Sequence, residues 1–261
     1  MPKTTIACVR HAQGFHNLST ANHILPDPSL TPFGEEQCAT LANSFPAHPE
    51  ITHLVASPLR RTLYTALLSF PEAVARGIKV IALPELQETS DLPCDTGSER
   101  AVLEKEFSDK VDLNLVGEGW NSKKGKWSPA ASAIESRARD ARIWLQNLAE
   151  KHQEENTDGR DIHIVVVTHG GYLHYFTEDW NEHEKFVGTG WANTEYRSYK
   201  YVGEEGDALV ELEESSKRRG VRQLSESEQR NLRESAEKEW SLSGYQTPRE
   251  MEVEQTQIEV S

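Results

Sequence analysis

Cysteine is scarce: Cys8, Cys38 and Cys94 stand far apart, with no CxxC pair among them. That excludes a disulfide scaffold or a cysteine-rich zinc site and suits a reducing compartment. Long apolar runs are also missing, and no stretch approaches the roughly 20 residues of a membrane span. A buried-type strand begins within five residues of Met1, leaving no room for a secretory leader. The expectation is a cytoplasmic protein without a membrane partner, nuclear residence being left open. Bases are outnumbered, 28 Lys and Arg against 42 Asp and Glu, for a formal net charge of -14. Such a surface repels a phosphodiester backbone, which argues against a nucleic-acid partner. An anionic substrate must therefore be drawn in by a local basic pocket.

What is present is organised around Thr5-Ile6-Ala7-Cys8-Val9-Arg10-His11-Ala12-Gln13. An apolar run of the kind buried on both faces of a sheet stops abruptly at a cation and an imidazole. In open α/β sheets ligands bind at the carboxyl ends of strands. A polar strand end is common by itself, but the design recurs in Ile162-His163-Ile164-Val165-Val166-Val167-Thr168-His169-Gly170-Gly171. If the two strands lie in parallel, His11 and His169 share one sheet edge. A third strand, Lys79 to Leu83, is followed by Pro84-Glu85-Leu86-Gln87-Glu88, which brings carboxylates.

Between these strands, Thr31 and Pro32 read as the cap and first residue of a helix to about Phe45. Thr52 to Ala56 reads as a strand. Ser57-Pro58 repeats the cap-then-proline signature, which puts Arg60 and Arg61 in the first turn of the next helix. Two cations there oppose the helix dipole, so an anion nearby is expected for one of them. Residues 98–110 read as helix and 111–129 as irregular. Residues 130–155 form a long helix with a face of Ile134, Ala138, Ala141, Leu145 and Leu148, closed by Asn156-Thr157-Asp158-Gly159. Tyr172 to Glu178 begins another helix, and 193–202 and 208–212 read as late strands. From Gly203 to Ser261 there are 15 acids and 8 bases. The segment 213–261 is expected to be a charged tail, poorly packed or helical only over about Ser225 to Trp240.

Two histidines, two or three arginines and a carboxylate on one sheet edge suit phosphoryl transfer. Arginine forks clamp phosphate oxygens, a histidine can be the nucleophile, and a carboxylic acid can protonate the leaving oxygen. A neutral imidazole must attack, so its other nitrogen needs an acceptor, most simply a backbone carbonyl. A metal site of His11, His16 and His169 is the weaker option, because neighbouring arginines repel a divalent cation. Neither a metal nor a cofactor is expected.

Arg10-His11-Ala12, Asn17, Leu30-Thr31-x-x-Gly34-x-x-Gln37, Ser57-Pro58-x-x-Arg61-Thr62-x-x-Thr65-Ala66, Leu86-x-Glu88 and Thr168-His169-Gly170-Gly171 appear in that order. The ordered set resembles the histidine phosphatase (phosphoglycerate mutase-like) superfamily over residues 4–178, and the stretch Trp191 to Tyr196 extends the likeness to about 212. The resemblance implies an α/β fold with three α/β/α layers, a mostly parallel central sheet flanked by helices. It implies a catalytic domain over 1–212 acting on a small phosphorylated substrate, with the oligomeric state open. It further implies that His11 is the phosphorylated nucleophile, Glu88 the proton donor, and Arg10, Arg61 and His169 the phosphate pocket, with Asn17 at its rim. Arg60 is expected to face solvent. Glu85 and Asp91 rank behind Glu88 because only Glu88 sits in the Leu-x-Glu frame. Trp180, Trp191, Tyr172 and Tyr175 read equally well as packing or as substrate contacts.

Two positions depart from the family pattern. Ala12-Gln13 stands where Gly-Glu is usual, and Thr89 to Gly119 lacks the arginine pair of the mutase branch. The expectation is a metal-independent phosphomonoester hydrolase working through phosphohistidine. The alternatives are a phosphomutase and a catalytically weakened phosphate-binding interaction module.

Overall fold

The alternation of apolar runs with amphipathic stretches resolves into one sheet with helices on both faces. The computed structural model describes residues 2–156, 159–202 and 208–247. In chain order these form β1 (Thr4–Arg10), α1 (Pro32–Ser44), β2 (Ile51–Ala56), α2 (Arg60–Ser69), α3 (Pro71–Ala75) and β3 (Val80–Ala82). Then come α4 (Arg100–Phe107), β4 (Val111–Asp112), α5 (Ala131–Glu155), β5 (Ile162–Thr168) and α6 (Gly170–Thr177). The last are α7 (Lys185–Gly188), β6 (Tyr196–Val202), β7 (Ala208–Glu211), α8 (Glu213–Arg219) and α9 (Glu226–Leu242).

The sheet order is β4-β3-β2-β5-β1-β6-β7. Five strands run parallel, while β6 and β7 join antiparallel at one edge. β1 and β5 are neighbours in a register that sets Arg10 opposite Thr168, so His11 and His169 leave the sheet side by side. Successive strand residues point to opposite faces. Ile6, Cys8, Ile164 and Val166 therefore pack with Ala138 and Leu145 of α5 and Phe176 of α6. Ala7, Val9, Val165 and Val167 pack with Leu41 of α1, Leu63 of α2 and Leu103 of α4. The expected three-layer α/β/α arrangement is thus present.

Thr31 caps α1 as the sequence indicates, its hydroxyl accepting from the Gly34 amide at 3.0 Å, with Pro32 in the first turn. At α2 the sequence reading needs correction. The helix starts after Leu59, two residues later than the Ser57-Pro58 signature implies. Ser57 Oγ is instead engaged by His169 Nε2 at 2.9 Å. The capping acceptor for the Arg60 amide is Asp27 Oδ1, at 3.0 Å from a distant loop.

In the tail, the helix expected over about Ser225 to Trp240 is α9, capped by Ser225, and it is packed rather than loose. Leu232, Ala236 and Trp240 recur at steps of four on α9, and Ala236 and Trp240 join the core cluster that contains Trp180. The Tyr175 hydroxyl donates to Gln246 Oε1 at 2.9 Å, and the Thr247 amide donates to Pro129 O at 3.1 Å. One large aromatic on a narrow seam is enough to seat a helix whose other faces are charged. The 248–261 part of the expected tail and the Thr157-Asp158 turn lie outside the described residues. Among the described residues no helix is long and apolar enough to cross a membrane.

Candidate active site

At the carboxyl edge of β1 and β5, the His11 and His169 rings lie 5.3 Å apart, centroid to centroid. The arginine that joins them comes from the first turn of α2. Arg61 Nε donates to His11 Nε2 at 3.3 Å, and its Nη2 donates to His169 Nδ1 at 3.0 Å. The same guanidinium donates to Cys94 O at 2.6 Å and pairs with Asp95 Oδ1 at 2.8 Å. Arg61 is fully buried, so Asp95 supplies the counter-charge that a buried cation requires. Arg10 reaches across to Thr189 Oγ1 at 2.9 Å and to the Trp191 carbonyl.

The His11 ring is oriented by its backbone. Nδ1 lies 2.7 Å from Ala12 O and must donate to it, which leaves the Nε2 lone pair facing the Arg61 side of the cup. Burial, reinforced by Arg61, His16 and Arg10, pushes the His11 pKa well below the ordinary imidazole value. Burial, Arg61 and His11 do the same to His169. Both rings are therefore neutral in the fold.

Glu88 enters after β3, with Oε1 accepting from the Thr89 and Tyr172 amides, each at 2.9 Å. Its carboxyl pKa is raised, first by burial and then by Asp95, against the opposing pull of the Thr89 amide, Arg61 and Arg10. The glycine pair after His169 brings α6 this close. A Cβ at Gly170 would lie 2.6 Å from Thr189 Cβ, and one at Gly171 would lie 3.0 Å from Glu88 Oε1.

His11, Arg10, Glu88 and Asn17 line one cleft of about 860 Å³. Asn17 is exposed at its mouth, and its Oδ1 accepts from the Gly14 amide at 2.9 Å. Glu85 and Asp91 are not among the residues lining this cleft. Glu85 is paired with Lys126, and Asp91 points outward. Arg60 is not a free solvent cation, because it pairs with Glu106 at 2.8 Å. Trp180, Trp191, Tyr172 and Tyr175 are buried packing residues.

The profile of the histidine phosphatase superfamily (branch 1) matches residues 6–213. The chain belongs to that superfamily. It is 31% identical over 193 residues to the sedoheptulose 1,7-bisphosphatase of Saccharomyces cerevisiae, with 69% of each chain covered. It is 34% identical over 106 residues to a probable phosphatase of Schizosaccharomyces pombe, covering 40% of this chain and 49% of that one. The ecdysone phosphate phosphatase of Bombix mori, solved with tungstate, shares the fold with a TM-score of 0.57 at 14% identity, over 80% of this chain and 92% of that one.

Several residues of this histidine phosphatase's cleft were not assigned there from the sequence. Asp95 carries no sequence assignment, yet it pairs with Arg61. His16, considered from the sequence only for the weaker metal-site option, is buried with its ring 5.3 Å from that of His11. Asn193 Nδ2 donates to His11 O at 2.8 Å, which ties the approach to β6 to the end of β1. A buried arginine in a first turn is itself a request for an acid, and that was the one available signal for Asp95.

Proposed function

We propose that this centre hydrolyses phosphomonoesters without a metal, through a covalent phosphohistidine on His11. The observation that carries the reading is the Arg61 guanidinium bonded at once to His11 Nε2 and His169 Nδ1. A tetrahedral oxyanion entering between Arg10 and Arg61 meets guanidinium donors beside His11 Nε2, while the neutral His169, its Nδ1 accepting from Arg61 and its Nε2 donating to Ser57, positions Arg61. His11 attacks phosphorus as the ester bond breaks. Its Nδ1 proton is held by Ala12 O, which favours the imidazolium that develops.

Glu88 donates the proton to the leaving oxygen. A carboxyl whose pKa is raised by burial and by Asp95 retains that proton closer to neutral pH. In the second half-reaction the carboxylate takes a proton from water as the water attacks the phosphohistidine. Phosphate then leaves, and the first state is restored. Arg10 and Arg61 hold the anion through both steps.

A phosphomutase reading needs cations that grip a second anionic group. Between Thr89 and Gly119 the cleft is lined by Thr89, Ser90, Leu92, Cys94 and Asp95, with no cation among them. Hydrolysis is the better fit. A cytoplasmic location is included in the proposal, supported by three cysteines that are all free and buried.

The test is to trap the acid-labile phosphoenzyme by rapid quench from an aryl phosphate and locate it by peptide mapping. The label is expected on His11 and is expected to vanish in His11→Ala with turnover. Undiminished labelling of that variant would overturn the assignment.

A further inference from the structure

The cleft is much larger than a phosphate needs, and part of its lining comes from chain that lies beyond the superfamily match. About 860 Å³ falls in the upper part of the range that holds drug-sized molecules, roughly 300–1,000 Å³. The match ends at residue 213, yet Glu239, Trp240, Ser243 and Tyr245 line the cleft. They are not loosely placed. Trp240 packs against Trp180 at 5.8 Å between ring centroids, and the Tyr245 ring meets His23 of the opposite loop edge-on at 6.1 Å. The neighbouring Gln246 is held by the Tyr175 hydroxyl.

This wall has a definite chemistry. Beside hydroxyls from Ser19, Thr20, Ser243 and Tyr245 it offers apolar and aromatic surface from Leu18, Leu92, Phe186, Trp240 and Tyr245. Among the described residues lining the cleft, Arg10 is the one arginine or lysine, and it belongs to the floor. The charged group of the wall is the exposed carboxylate of Glu239. A second phosphate on the substrate would find no guanidinium or ammonium there and would meet a like charge.

We propose that α9 and Tyr245 make this cleft selective for esters with one phosphate on an uncharged leaving group of sugar size that presents both hydroxyls and an apolar face, and that Glu239 disfavours a second phosphate. The inference rests on the phosphatase reading above and narrows its substrate class. Selectivity here is a difference of affinities, set by hydroxyls that pair with the favoured leaving group and a carboxylate that repels the other.

The experiment measures kcat/KM of the full-length protein on an aryl phosphate, a set of hexose and hexitol monophosphates and the matching bisphosphates. The best monophosphate should exceed its bisphosphate by about tenfold or more, the scale of one unfavourable charge contact near a surface. Glu239→Lys, on an exposed helix position, should narrow that ratio by about tenfold. Tyr245→Ala should lower the ratio of sugar-monophosphate to aryl-phosphate kcat/KM, chiefly through KM. A wild-type preference for bisphosphates, or ratios unmoved in both variants, overturns the inference while leaving the phosphatase reading intact. No hydrolysis of any ester by folded protein ends both.

Discussion

The floor and the wall of this cleft are built on opposite principles. The floor is buried, charged and tied together: Arg61 alone engages His11, His169, Cys94 and Asp95. The wall is neutral or acidic, and Glu239 and Ser243 on it are exposed. In the proposed reaction the floor binds charge that develops on the phosphoryl group, and the wall reads what the phosphate is attached to. Fixed dipoles in a dry site act strongly on a transition state, whereas exposed hydroxyls act weakly and selectively on a ground state.

The largest effect expected from breaking this contrast lies at its centre. Arg61→Ala should lower kcat by roughly 10²- to 10³-fold on every ester tested, as loss of a preorganised donor does elsewhere. It should also lower the melting temperature, because Asp95 is left as an unpaired buried carboxylate. A loss confined to one leaving group would place Arg61 in the wall's role instead.

Glu88→Gln should cost roughly 10²-fold on alkyl esters, the usual scale of general acid catalysis. It should cost much less on aryl esters, whose leaving oxygens need little protonation. Equal losses on both classes, measured as kcat, would remove Glu88 from the proton path.

Trp240→Ala tests whether the wall is part of the folded domain. Removing a buried tryptophan costs about 3–5 kcal/mol, and Trp240 is only 7% exposed. Denaturant unfolding should show a loss of that order together with a fall in sugar-ester selectivity. Unchanged stability would mean that α9 is not seated as described.

The smallest effect concerns His16, whose pKa is pushed below the ordinary imidazole range by burial and by Arg61 and Arg10. In the unfolded chain it takes a proton near pH 6.5, and in the fold it does not. The unfolded state therefore binds more protons as pH falls from about 6.5, and stability declines in that direction. His16→Asn should flatten the dependence of melting temperature on pH between about 6.5 and 5. A slope equal to wild type would show that the imidazole is charged in the fold.

How far the sequence reaches follows the same division. The buried strands, the Thr31 cap and the α5 face were legible because each rests on local periodicity or a local cap. The gathering of Arg10, His11, Arg61 and His169 was legible because strand ends and a first-turn arginine mark themselves in the residue pattern. Ser57 was misread as a helix cap because its hydroxyl has two possible partners, and the local pattern shows only one. Its actual partner, His169, is 112 residues away.

Asp95 and Asp27 were hidden for the same reason. Each pairs with α2, one with a side chain and the other with an amide, from loops whose paths no pattern encodes. The helix of the tail was legible over about Ser225 to Trp240, whereas its packing was not, because composition counts charges and packing depended on where one tryptophan fell on a helix face.

The sequence by itself determined which strands are buried, which ends carry imidazole and guanidinium groups, and hence the class of chemistry, because periodicity and residue type are local properties. The tertiary structure alone decided which acid neutralises Arg61, that Ser57 serves His169, and that α9 closes the side of the cleft. Those pairings join residues far apart in the chain, and only the fold settles which groups leave water together.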